Sequence, residues 1–222
     1  ESEDNRKSIV EANGIPPLLA LLDSTSSKAK ENAVGAITQL CRRSHTNQAQ
    51  IAKAGGVPKL VGVLLSFSQV TMKADAAAVQ LCTLAASAVK EMAKGNRKNQ
   101  DIITNGGGIG PLVAMLGSTS PAMQANAAGA LANLARGHQD NSSSIAKTGA
   151  IAPLCALVRE GDSAEARDQS ASALWALATD NAANKDTIAK LGGIDPLVAL
   201  LVSGTSEKSL NCCAGALSAL AS

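Results

Sequence analysis

Hydrophobic residues in this chain recur at intervals of three and four, in short runs broken by glycine, proline and polar links. In "NSSSIAKTGAIAPLCALV" (141–158), a polar stretch carries one Ile, a Gly closes it, and a Pro opens a Leu/Val-rich run. A polar link and an alanine-rich run such as "NAAGALANLA" (126–135) complete the pattern. The spacing predicts three helices, a short first, an apolar second and a small-residue third. The order recurs in "NRKSIVEANGIPPLLALL" (5–22), "NQAQIAKAGGVPKLVGVL" (47–64), "NQDIITNGGGIGPLVAML" (99–116) and "NKDTIAKLGGIDPLVALL" (184–201). Units led by Asn5, Asn47, Asn99, Asn141 and Asn184 follow at steps of 42, 52, 42 and 43, which predicts a repeat architecture rather than a globule.

Within one unit the residue types suggest their jobs. The leading Asn suits a helix N-cap, its side-chain oxygen accepting from an unpaired backbone N–H. Ile9, Ile51, Ile103, Ile145 and Ile188 are the inward anchors of the first helices. Gly14, Gly56, Gly107, Gly149 and Gly193 are expected to end those helices, and Pro17, Pro58, Pro111, Pro153 and Pro196 to open the second ones. Third helices built from Ala, Gly and Leu, including "NAVGAITQLC" (32–41), "AAAVQLCTLA" (76–85), "QSASALWALA" (169–178) and "CCAGALSALA" (212–221), suit close approach between neighbouring copies. Repeat two is ten residues longer than its first neighbour. Two extra residues are placed before its third helix, within 65–73, and eight after it, in "AASAVKEMAKGNRKNQ" (85–100).

Composition adds exclusions. Hydrophobic residues make up 45% of 222, but aromatics only 1%, Phe67 and Trp175. A net charge of +2 and the lack of tyrosine give no basic, aromatic-laced face for nucleic acid. No apolar run is long enough for a membrane span. Five cysteines without CxxC spacing or a Cys/His cluster read as small buried hydrophobes in a reducing setting, so neither metal nor cofactor is expected. "GGGIGP" (106–111) follows no strand and is the glycine link of its repeat. Asn141 of the "NSS" sequon is expected as the helix cap of its unit, and His45 and His138 lie in links far from any triad. The chain opens without methionine and closes on a third helix, which is read as part of a longer protein. Leu217 and Leu220 are expected to need a cover, and end-to-end self-association is one way to supply it.

The phased G-[IV]-x-P-L-V-x-L-L and A-A-G-A-L-x-N-L-A motifs resemble armadillo repeats, and the resemblance spans nearly the whole of 1–222. It implies a single all-α domain, a right-handed armadillo superhelix (α-solenoid) of about five three-helix repeats: 5–46, 47–98, 99–140, 141–183 and 184–222. It also implies a concave groove, lined by third helices, that holds an extended peptide or protein segment. Arrays of the importin-α kind place a Trp and, four residues on, an Asn in most third helices. Here the Asn place reads Gln39, Thr83, Asn133, Ala176 and Ala219, and the Trp place Gly35, Val79, Gly129, Ser172 and Gly215. That is closer to repeats of β-catenin, plant U-box ligases and vacuolar scaffolds. Trp175, one residue before the Asn place, is expected to face the core or a neighbouring repeat.

Helical spacing around the Asn place puts Asn32, Gln39, Arg43, Thr83, Ser87, Asn126, Asn133, Gln169, Ser172 and Asp180 along the groove. Lys90, Lys94, Arg97 and Lys98 read either as a basic rim for an acidic partner or as a solvated helix end. The reading that follows is a non-catalytic, cytoplasmic protein-interaction scaffold, with the nucleus as the secondary setting. The competing readings are a transport adaptor of importin-α type and the substrate-binding array of a multidomain enzyme, such as a U-box ubiquitin ligase or an armadillo-bearing kinesin.

Overall fold

The computed structural model describes residues 2–67, 76–204 and 206–222, so part of the 65–73 stretch lies outside the described residues. Every element among them is helical. The α-helices are α1 (Ser2–Glu11), α2 (Ile15–Ala20), α3 (Ser27–Cys41), α4 (His45–Lys53), α5 (Gly56–Leu65), α6 (Ala76–Ala93), α7 (Arg97–Asn105) and α8 (Ile109–Met115). They continue with α9 (Pro121–Ala135), α10 (Gln139–Lys147), α11 (Ile151–Glu160), α12 (Ala164–Ala178), α13 (Ala182–Lys190), α14 (Ile194–Ser203) and α15 (Glu207–Ala221). This is the order short, apolar, small-residue, five times over. Two compact units hold these helices, Glu1–Gly108 and Ile109–Ser222.

First-helix termini differ from the expected cap. Ser44, Asn96, His138 and Asn181, three residues before the repeat Asn, hold the cap position and accept its backbone N–H. The repeat Asn lies one turn inside, and its side chain does a different job. Nδ2 of Asn47, Asn99, Asn141 and Asn184 donates to the carbonyls of Leu40, Met92, Leu134 and Leu177 at 2.9, 2.9, 3.1 and 2.9 Å. Those carbonyls belong to the last turn of the preceding third helix, where no intrahelical N–H reaches them. Each strap therefore ties a repeat to the one before it.

The glycine expectation needs a shift of one residue in three places. The left-handed positions are Asn13, Gly55, Gly107, Gly149 and Gly192. Gly14, Gly56 and Gly193 follow them with ordinary φ, and they are small because of the anchor: a Cβ on Gly56 would stand 2.5 Å from Ile51 Cγ2. The prolines fall in the first turn of the second helices, where a missing N–H costs nothing.

Repeat two also takes a different register. Helix α6 runs unbroken to Ala93, ten residues before Ile103, the same distance that separates Cys41 from Ile51. The Asn99 strap to Met92 matches the Asn141 strap to Leu134, so "LAASAVKEMA" (84–93) is the counterpart of "NAAGALANLA". All the extra residues precede the third helix core, and none follows it. An eight-residue slip is close to two helical turns, roughly 7.2 residues, and it returns small residues to the same face. An alanine-rich helix cannot reveal that slip by its pattern alone.

The core is aliphatic and dense. Ile51, Ile103, Ile145 and Ile188 are fully buried, whereas Ile9 is 45% exposed. In the first unit α3 packs on α6, and in the second α9, α12 and α15 pack in sequence. Ala128 and Ala171, at matching positions of α9 and α12, have no accessible surface. The small residues are where one third helix meets the next.

Candidate protein-binding surface

In the first unit, Asn32 and Gln39 stand exposed on α3. Thr83 does not join them. It is buried, and its hydroxyl donates to Val79 O at 2.8 Å. The corrected register puts Glu91 at the slot of Gln39 and half-buried Ser87 at the slot of Gly35. Arg43 is exposed, but it lies beyond the helix with φ 55° and off the helical face on which the spacing argument placed it. The four rim cations do not form one helical spur. Lys90 is half-buried on α6, Lys94 sits in the turn, and Arg97 and Lys98 open α7.

In the second unit, Asn126 and Asn133 are half-buried on α9. Gln169 on α12 is also half-buried and donates to Glu165 at 2.7 Å. Ser172 is buried and accepts from Arg136 Nη2 at 3.0 Å, so its hydroxyl is engaged inside the protein. Asp180, like Arg43, is a left-handed residue past the helix end, φ 53°. Spacing arguments fail at both because α3 and α12 stop two residues earlier.

The residues that the spacing did not select form the most organised part of this surface. Arg136, the C-cap of α9, places its guanidinium 5.8 Å from the centroid of the Trp175 ring. On α15, Gly215 is so close that an added Cβ would stand 2.6 Å from the same indole. Trp175 thus fills the space between α12 and α15, as its offset suggested, and offers a half-buried ring stabilised by a cation. Arg136 had a usable signal in the sequence: it is the first polar residue after the third helix. Gly215, a glycine facing a lone indole, carried none.

The remaining chemistry is quiet. All five cysteines are free and buried. Burial, with Glu91 nearby, pushes the Cys41 thiol up to about 12, and its Sγ lies 3.0 Å from Met92 Sδ. Burial also raises Cys155 and Cys213 to about 11. Among the described residues no group of His, Cys, Asp or Glu is placed to hold a metal, and no helix is long and apolar enough to cross a membrane.

Residues 2–42 and 96–136 match the Armadillo/beta-catenin-like repeat family. No curated protein matches the sequence. Among solved structures, an engineered protein is 29% identical, covering 97% of this chain and 83% of its own, with a TM-score of 0.84. A designed armadillo repeat protein is 26% identical over 98% of this chain and 86% of that one, TM-score 0.84. Another, solved with the peptide (KR)4, is 25% identical over 98% and 86%, TM-score 0.82. Five helical triplets, the cross-repeat asparagine straps and these similarities lead to one assignment: the chain is an armadillo-repeat protein.

Proposed function

We propose that the chain is a protein-interaction scaffold that holds an extended partner segment on its third helices. The observation that carries this reading is the Arg136–Trp175 platform on the second unit's third helices; each unit, taken by itself, also has an amide at the same repeat position, Gln39 on α3 and Asn133 on α9. Amides can bond the backbone of an extended segment, and a half-buried indole gives its side chains an apolar seat. Solved neighbours include designed armadillo proteins made for modular peptide recognition, which supports the same use of the fold.

The expected result is that Gln39→Ala with Asn133→Ala weakens a partner found by pull-down roughly tenfold, about 1.4 kcal/mol, while the melting temperature stays put. A crosslinking footprint confined to the second helices would count against the surface. A transport adaptor of importin-α type is disfavoured by the slot itself, which reads Gln39, Glu91, Asn133, Ala176 and Ala219 in the register of the structure. The basic peptide (KR)4, bound by one neighbour, is the direct probe. We expect no micromolar binding here, and saturable binding would restore the adaptor reading.

Two lesser points belong to the same proposal. Five unpaired thiols fit a reducing, cytoplasmic setting. Exposed Ile9 at one end, and exposed Ala214 with half-exposed Leu217 at the other, fit end-to-end self-association, because their internal counterparts are fully buried. Sedimentation across a concentration series tests that association.

A further inference from the structure

Five copies of one unit give every position its own internal counterparts. The junction between repeats two and three departs from them on a surface made by α5 and α7, with no third-helix residue in it. Three residues after the repeat Asn stand Ser8, Gln50, Ser144 and Thr187, but here Ile102, which is 38% exposed. Three positions further on, the other repeats carry a charge, Glu11, Lys53, Lys147 or Lys190, and this one carries Asn105.

The facing slot on the second helix changes in the same direction. In repeats one and four it is Asp23, paired with Lys59, and Arg159, donating to Gly192 O at 3.5 Å. Gly117 and Val202 occupy it in repeats three and five. Here it is Leu65, 46% exposed. Leu65 and Ile102 border a cleft of about 470 Å³, with Pro58, Val61, Gly62 and Gly106 completing its apolar lining. Gly62 leaves its part of the lining open, since a Cβ there would meet nothing within 4 Å. Lys98, exposed on α7, precedes Ile102 by one turn and so shares its helical face, though it is not part of the lining itself.

We propose that this cleft docks a short segment of a partner protein carrying an apolar anchor side chain and a nearby acidic residue. The anchor enters between Leu65 and Ile102, and the carboxylate meets Lys98. Two exposed apolar side chains fall far short of the roughly 800 Å² per partner that a stable pair of folded proteins buries, which argues for a segment rather than a second copy. Against all four sister repeats the junction has lost a charge at one first-helix slot and gained an apolar residue at another. Against repeats one and four it has an apolar residue in place of a charge on the second helix, a slot where repeat five also exposes Val202. Surface scattered at random would not converge on a single cleft. The site is separate from the third-helix surface and does not rest on that reading.

The test uses the full chain and fluorescein-labelled, alanine-based short peptides read by anisotropy. One probe carries two leucines a helical turn apart with adjacent glutamates; the others replace Leu by Ser or Glu by Lys. The Leu/Glu probe is expected to bind saturably and the Leu-to-Ser probe not to bind. Leu65→Asp with Ile102→Ser, residues borrowed from sister repeats, should weaken binding by roughly tenfold or more. Lys98→Glu should reverse the preference toward the Lys-bearing probe, whereas Gln39→Ala with Asn133→Ala should leave binding unchanged. Should the double variant fail to fold, Ile102→Ser against Ile102→Met decides, the first losing the probe and the second keeping it. Equal binding to wild type and variants, failure of the Leu/Glu probe to bind, or indifference to probe charge overturns the proposal. So does a dimer in sedimentation that Leu65→Asp with Ile102→Ser dissolves, because the occupant is then a second copy.

Discussion

Asn99, only 1% exposed, illustrates how a single side chain joins two repeats. Its amide closes the end of one third helix while its own backbone N–H is taken by the Asn96 cap. Replacing Asn99 or Asn141 by Ala leaves a buried carbonyl without its donor, and urea unfolding should show a loss of about 1–3 kcal/mol. Exposed Asn32→Ala is the matched control, expected near zero. An asparagine at a helix start was legible as structural but not as a strap, since cap and first-turn positions share residue preferences. The clue was the cap-forming residue three positions earlier, Ser44, Asn96 or Asn181.

The cysteines carry a second residue-scale prediction. Burial, with Glu91 nearby, holds the Cys41 thiol up at about 12 in the folded chain, against its ordinary value of 9.0. Below 9.0 both states hold the proton, so stability does not depend on this group. As pH rises from 9.0 toward 12 the unfolded state ionises first, and stability falls. Urea midpoints should therefore drop on going from pH 8 to above 9, and Cys41→Ala should flatten part of that slope. A thiol reagent should react slowly at pH 7 and quickly in denaturant.

At the scale of the helix, the interest lies in what small residues permit. Gly215 accepts the Trp175 indole, so Gly215→Ala drives a methyl into the ring and should cost about 1–3 kcal/mol. Trp175→Leu in the same chain should recover part of that loss, a coupling that a double-mutant cycle measures. The existence of each triplet was legible, because anchors and prolines recur in phase. The register of α6 was not, because alanine-rich helices look alike after two turns, and that ambiguity displaced Thr83 and hid Glu91. Exposure was also out of reach: Ser172 looked available until Arg136 was seen to hold it.

For the whole molecule, burial is set by neighbours, and so the same residue type has different worth along the chain. Ile103, with no accessible surface, should cost about 2–5 kcal/mol when cut to Ala. Ile9, its counterpart at 45% exposure, should cost well under half as much, and thermal melts of the two variants make the comparison. Sequence periodicity shows where anchors stand but treats all five alike, so the contrast between end and interior is visible only once the copies are stacked.

The position of Trp175 has a practical consequence. It is the chain's one tryptophan, and there is no tyrosine, so ultraviolet emission arises almost wholly from the space between α12 and α15. Emission will follow events in residues 109–222, while far-ultraviolet circular dichroism averages over every helix. If the two signals separate during denaturation, the interval between them is a direct reading of how independently the amino-terminal repeats melt.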